Sequence, residues 1–249
     1  MHNSLSRILI LTKRNIKEII RDPLSLIFMI FLPLFMEIVF YLLFHSMTAQ
    51  FEMRYLAPGI VVFSQAFLTL FTGLLIAIDR STSFLTRLYV SRAKSFEFIF
   101  SYCLAVIPLS IVQAILFYLV GGIIDSSLFS FGMVWGILLS VLTSIFFIAC
   151  GILFGSLCNE KSIGGIASIV VMGQSILSGM WFPTEGLSGG MITLMKVLPF
   201  KNATMLLQNM ILGINNVFDD FLLPLIIVCS YSLVILVASI IAFKQKMKQ

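Results

Sequence analysis

His2 and His45 are the only histidines in the chain, and Cys103, Cys150, Cys158 and Cys229 stand far apart in mostly apolar runs. Metal ligation or a disulfide framework calls for paired spacings, and no CxxC or Cys/His cluster occurs. The thiols read as small core hydrophobes. Cradling a nucleotide by a phosphate loop would require G-x-x-x-x-G-K-[ST], and zinc peptidase chemistry H-E-x-x-H; the chain has neither. Gly173-Gln174-Ser175-Ile176 lacks the closing glycine of a nucleophile elbow. No catalytic residue, metal or bound cofactor is therefore assigned, and the chain reads as a non-enzyme.

Two carboxylates remain to be placed, and placing them requires the elements that carry them. Charged residues make up 11% of the 249 residues and hydrophobic ones 59%. A soluble globular protein carries roughly 25% charged residues, so this chain could not cover its own core in water, and its solvent is lipid. A hydrocarbon core about 30 Å thick takes about 20 apolar residues at 1.5 Å each. On that measure six spans are expected: Pro23 to Phe44, Leu56 to Ile78, Phe98 to Gly121, Met133 to Leu157, Ile163 to Trp181, and Phe221 to Phe243. The expected fold class is all-α and integral to the membrane.

Glu37 then falls deep inside the first span. A lone charge at mid-bilayer costs on the order of 2.5–3.5 kcal/mol on insertion scales, so Glu37 should face protein or a wet cavity. It reads either as a substrate-pathway or gating contact, or as a structural Glu held between helices. Glu97 opens the third span, where it is expected to cap the helix or pair with a base such as Lys94. Gly151 and Gly155 form a GxxxG in the fourth span, read as close packing inside the bundle rather than dimerisation.

The formal net charge of +5 does not point to nucleic acid, because the cations lie between apolar runs as orientation signals do. With the N-terminus inside, thirteen of the sixteen basic residues fall on the cytoplasmic side, and only Arg54, Lys196 and Lys201 lie outside. The expected topology is N-in, C-in. The first residues carry Arg7, Lys13, Arg14, Lys17 and Arg21 before any long apolar run, which is unlike a cleavable signal peptide.

Residues 1–22 show helical periodicity. Leu5, Ile8, Leu9, Ile16, Ile19 and Ile20 recur on one side, with Arg7, Arg14, Lys17 and Arg21 on the other. This pattern predicts an interfacial helix with its apolar face in acyl chains and its basic face near anionic headgroups. In the inner loop, 79–94, Phe84, Leu85, Leu88 and Tyr89 would form an apolar stripe on a short helix. That stripe suits docking to a soluble partner, or folding back on the bundle. The outer connection, 182–220, is apolar but broken by Pro183, Gly186, Gly189, Gly190 and Pro199, and reads as re-entrant or interfacial helices.

Several of these segments resemble the ABC-2 family of transporter permeases along essentially the whole length. Arg21-Asp22-Pro23-Leu24 leads into a first span with a mid-helix proline, Pro33. Tyr55-Leu56-Ala57-Pro58-Gly59 is similar to the family's entry to the second span. Asp79-Arg80 through Phe84-Leu85-Thr86-Arg87-Leu88 resembles its Glu-Arg…Gly-Thr-Leu-Glu-Arg-Leu stretch. Leu177-Ser178-Gly179-Met180-Trp181-Phe182-Pro183, followed by Leu198-Pro199-Phe200, resembles its hallmark after the fifth span. Asp79 stands for the usual Glu, Ser83 and Phe84 for Gly-Thr, and Ser188 for a frequent proline. These departures touch the docking contacts.

The resemblance implies a single transmembrane domain over 1–249 that pairs with a second permease, identical or homologous. It also implies two copies of a separate ABC ATP-binding subunit, with ATP and Mg on that partner. Asp79, Arg80, Phe84, Leu85, Arg87 and Leu88 would couple to the ATPase, and Glu37, Trp181, Phe182 and Pro183 would line a substrate pathway or gate. The cargo implied is amphipathic (a drug, antimicrobial peptide or lipid) and the location a bacterial inner membrane. An ATP-independent channel or secondary carrier stands as the alternative, although Glu37 alone makes a poor ion relay.

Overall fold

The computed structural model describes residues 4–82, 94–182 and 186–246. Among them the chain is helical throughout its regular structure: α1 Ser4–Ile20, α2 Pro23–Phe44, α3 Met53–Ser81, α4 Ser95–Ile124, α5 Phe131–Leu157, α6 Glu160–Leu177, α7 Gly189–Val197, α8 Pro199–Leu212 and α9 Leu223–Lys246. Short 3-10 turns at Ala49–Phe51 and Ser126–Leu128 precede α3 and α5, and a π-helical turn, Val217–Leu222, runs into α9.

Five helical segments are long and apolar enough to cross a membrane: α2, α3, α4, α5, and Val217–Gln245. Four of the expected spans thus stand within a few residues of their expected limits, and the last begins earlier, at the π-helical turn. The expected fifth span differs. Its helix, α6, ends at Leu177, where Ser178 caps it and Gly179 takes φ 71°, a left-handed turn open to glycine. Glu160 and Lys161 occupy its first turn. At 18 residues it reaches about 27 Å, and it is not among the five.

Helix starts follow local chemistry. Asp22 accepts the Ser25 N–H, and Pro23 needs no donor in the first helical turn. Lys94 and Glu97 open α4: the Glu97 carboxylate accepts the Lys94 N–H at 2.9 Å. The outer connection folds into α7 and α8, of 9 and 14 residues, both too short to span.

α3 is the centre of the bundle, and most of it is buried. It packs most closely on α5 through glycines. A Cβ at Gly151 would lie 2.6 Å from the Thr69 carbonyl oxygen, and one at Gly155 would lie 2.6 Å from that of Gly73. The GxxxG therefore packs within the bundle, as its sequence suggested. Side chains then bond across the seam: Gln65 Nε2 donates to the Ser140 carbonyl at 2.8 Å, Thr143 donates to Gln65 Oε1 at 2.7 Å, and Thr69 donates to the Phe147 carbonyl at 3.0 Å. α8 closes one end of the bundle, where a Cβ on Gly132 would lie 1.9 Å from the Met210 carbonyl oxygen.

Candidate functional site

Two clusters of polar or aromatic side chains gather at opposite ends of the bundle. One lies where α1 crosses the end of α3 and the start of α4. Asp79 is 1% exposed. Both its oxygens accept from the Arg14 guanidinium, one at 2.5 Å from Nη2, and Tyr102 Oη donates to Oδ2 at 2.6 Å. The bidentate geometry gives the pair direction as well as strength. It also raises the Arg14 pKa: burial works against the charged form, but the bond to Asp79 and that carboxylate's charge outweigh it.

Glu97 is fully buried and is held by the same helix. Ser4 Oγ donates to Oε1 at 2.5 Å, and Arg7 pairs with that oxygen at 3.0 Å. Between the two carboxylates, Asn15 Nδ2 donates to Ser101 Oγ at 3.3 Å and Thr12 Oγ1 to the Ser101 carbonyl at 3.4 Å. Asp79 and Glu97 flank the segment 83–93, so α1 grips both shoulders of that segment. Phe84, Leu85, Arg87 and Leu88, together with the expected short helix and its stripe, lie outside the described residues.

This arrangement corrects the expected division of α1. Arg7 and Arg14 do not share the exposed side of α1 with Lys17 and Arg21, because two buried carboxylates demand cations and these are the ones within reach. The face against the bundle is mixed, with Thr12, Asn15 and Ile19 buried, while Leu5, Leu9, Ile10 and Ile20 remain exposed. Glu97 caps its helix as expected, in a capping box with Lys94, and it gains a second cation that the sequence did not indicate, Arg7 of α1. Arg80 points to the other side of α3, donating from Nη1 to the Gly155 carbonyl at 2.8 Å and the Cys158 carbonyl at 3.2 Å. It satisfies the otherwise open C-terminal carbonyls of α5. Asp79 and Arg80, adjacent in sequence, thus fasten α3 to different neighbours.

At the opposite end the aromatic residues converge. Trp181 lies between α2 and α3, tilted against Phe40 with ring centroids 4.5 Å apart and edge-on to Phe63 with centroids 5.7 Å apart. Phe51 adds centroids 5.8 Å from Phe40 and 5.2 Å from Phe44. The indole N–H donates to Ser175 Oγ at 2.9 Å. Phe182 is half-buried beside it, and Pro183 lies outside the described residues.

Glu37 sits less than one helical turn below Phe40 on the same helix. It lies on the α2 face where Met29, Pro33 and Glu37 are buried, spaced by four. It faces protein rather than lipid, at 0% exposure, and neither carboxyl oxygen has a hydrogen-bond partner among the described residues. The missing side chain of Gly121 leaves it room, since a Cβ there would lie 3.1 Å from Oε1. The expectation that Glu37 turns away from lipid is met. The arginine clamp of α1 escapes sequence reasoning. Its signal, a carboxylate at each end of one loop and a basic helix before it, does not say which cation meets which carboxylate.

A family model described as ABC-2 type transporter matches residues 6–212, from the first turn of α1 to the last residue of α8. No curated protein matches the chain.

Proposed function

The chain belongs to the ABC-2 type transporter family, and from that membership we propose that it exports amphipathic cargo, driven by a separate ATP-binding subunit coupled through residues 79–94. Family membership makes it the multi-pass membrane subunit of an ABC transporter. The proposed cycle has two stages. Two copies of the ATPase, carrying ATP and Mg, close on each other and push the 79–94 segment of each of two permease subunits. The subunits then rock as rigid bodies from inward- to outward-open.

One observation carries this reading: the two ends of the 83–93 segment are tied by ion pairs to a single helix, α1. A force applied to the segment through Phe84, Leu85, Arg87 and Leu88 passes to α3 through Asp79 and to α4 through Glu97. Asp79 and Arg80 act as positioning residues, since both spend their polar groups on neighbouring helices. Glu37, Trp181, Phe182 and Pro183 form the outer gate, with Trp181 as the aromatic plug between α2 and α3. α6 completes six spans, α7 and α8 are re-entrant, and the protein resides in a bacterial inner membrane.

The test is purification of the tagged chain from its native membrane in mild detergent, with mass spectrometry of what accompanies it. A stoichiometric subunit bearing a phosphate-binding loop is the expected result, lost on replacing Phe84, Leu85, Arg87 and Leu88 together by serine. A chain that stays alone in nanodiscs with ATP present would sink the proposal.

A further inference from the structure

We propose that the cleft where α1, α2 and α3 meet holds one anionic phospholipid of the cytoplasmic leaflet. Two cavities adjoin here, with Phe71 and Leu74 in the wall of both. The first, about 240 Å³, lies between α2 and α3 and is apolar, lined by Leu24, Phe28, Met29, Phe67, Phe71 and Leu74. The second, about 380 Å³, is closed on its far side by Arg14, Glu18, Arg21, Asp22 and Asp79. An apolar slot adjoining a charged chamber has the two halves of a phospholipid, acyl chain and headgroup.

The charges favour an anion. A shallower cavity of about 260 Å³ continues along α1 past Arg14, Glu18 and Arg21 and adds Lys13 and Lys17. Four cations thus face three carboxylates across the whole chamber. Arg14 and Asp79 satisfy each other, and Asp22 accepts the Ser25 N–H as a helix cap. Glu18 touches only loosely, 3.8 Å from Arg14 and 3.9 Å from Arg21. Arg21 has a side chain 75% exposed, and Lys13 and Lys17 are exposed as well. These three are the cations available to a phosphodiester, while Leu24 and Phe28, exposed on α2, mark the side from which an acyl chain enters.

The site rests on the reading that α1 lies along the cytoplasmic leaflet, and it does not depend on the cargo or the ATPase. The probe is dioleoyl phosphatidylglycerol added to the purified full chain in detergent, with dioleoyl phosphatidylcholine and inorganic phosphate as competitors, read by native mass spectrometry. One phosphatidylglycerol per chain should be retained in preference to phosphatidylcholine. Arg21→Gln should weaken that retention about fivefold, as expected for one basic residue beside an anionic headgroup. Leu74→Trp, filling the slot, should lower retention of both lipids. Because Arg21 is exposed, Arg21→Gln decides the matter if Leu74→Trp fails to give a monodisperse protein.

Equal retention of both lipids, or no effect of Arg21→Gln, overturns the site. Displacement by inorganic phosphate would replace the lipid with a free anion. Crosslinking of two chains through Ser25→Cys, with no lipid retained, would give the cleft to a second copy. None of these outcomes bears on which side α1 faces, which impermeant labelling of the chain in cells reports separately.

Discussion

Asp79 shows how much one side chain can carry at a helix end. Its two oxygens take Arg14 and Tyr102, so removing Arg14 leaves a buried carboxylate with only the Tyr102 hydroxyl to answer it. Breaking a fully buried pair costs about 3–5 kcal/mol. Arg14 is 27% exposed, so Asp79→Ala should cost less, about 2 kcal/mol after screening. Arg14→Ala should cost a similar amount, and the double variant should cost well under their sum. Thermal unfolding in detergent measures all three, and strict additivity would show that the two are not coupled. The sequence places Arg14 among headgroup-facing cations because periodicity reports which side of a helix is charged. It is silent about a carboxylate 65 positions away that will be buried against that side. Glu37 is the opposite case: its place inside an apolar run is enough to say that it turns from lipid, and the fold supplies only the glycine that leaves it space.

Elements follow from runs of apolar residues, and they are the most legible part of this fold. The limits of α2 are those expected from Pro23 and Phe44, since a proline that starts a helix and a His-Ser-Met-Thr stretch that leaves the bilayer are both local signals. α6 stops short of its expected limit because Ser178 and Gly179 sit in a run that stays hydrophobic through Trp181, and hydrophobicity does not reveal the left-handed turn at Gly179. Glycines also separate two roles that composition cannot. Gly151→Leu drives a side chain into the backbone of α3 and should destabilise by at least about 1–3 kcal/mol, the cost of overpacking. At Gly164, by contrast, an added methyl group would meet nothing within 4 Å, and Gly164→Ala should stabilise by about 0.5–1 kcal/mol through helix propensity. Melting temperatures of the two variants should move in opposite directions; a shared direction would show that α6 meets a neighbour not present in one chain.

At the scale of the whole molecule, the two ends of the bundle differ in charge. Arg14, Arg80, Lys94 and Lys161 gather where α3 and α5 end and α4 and α6 begin, and Phe243 near the end of α9 packs on Phe98 at this same end. Arg54, which donates to Ser127 at 3.0 Å, belongs to the other. In a cysteine-free background, Ser188→Cys should react with an impermeant maleimide in intact cells, and Ser81→Cys only after permeabilisation. The reverse pattern would invert the topology. The grip of α1 on Asp79 and Glu97 sets an order of biosynthesis as well. α1 is translated before its partners, which come only with the end of α3 and the start of α4, so it waits undocked while the intervening spans are inserted. Nascent chains arrested before Asp79 emerges should therefore be cut by protease within α1, and chains extended beyond α4 should be protected there. A helix made before its neighbours is then the last of them to settle, and its docking marks the moment at which α1 to α4 are complete.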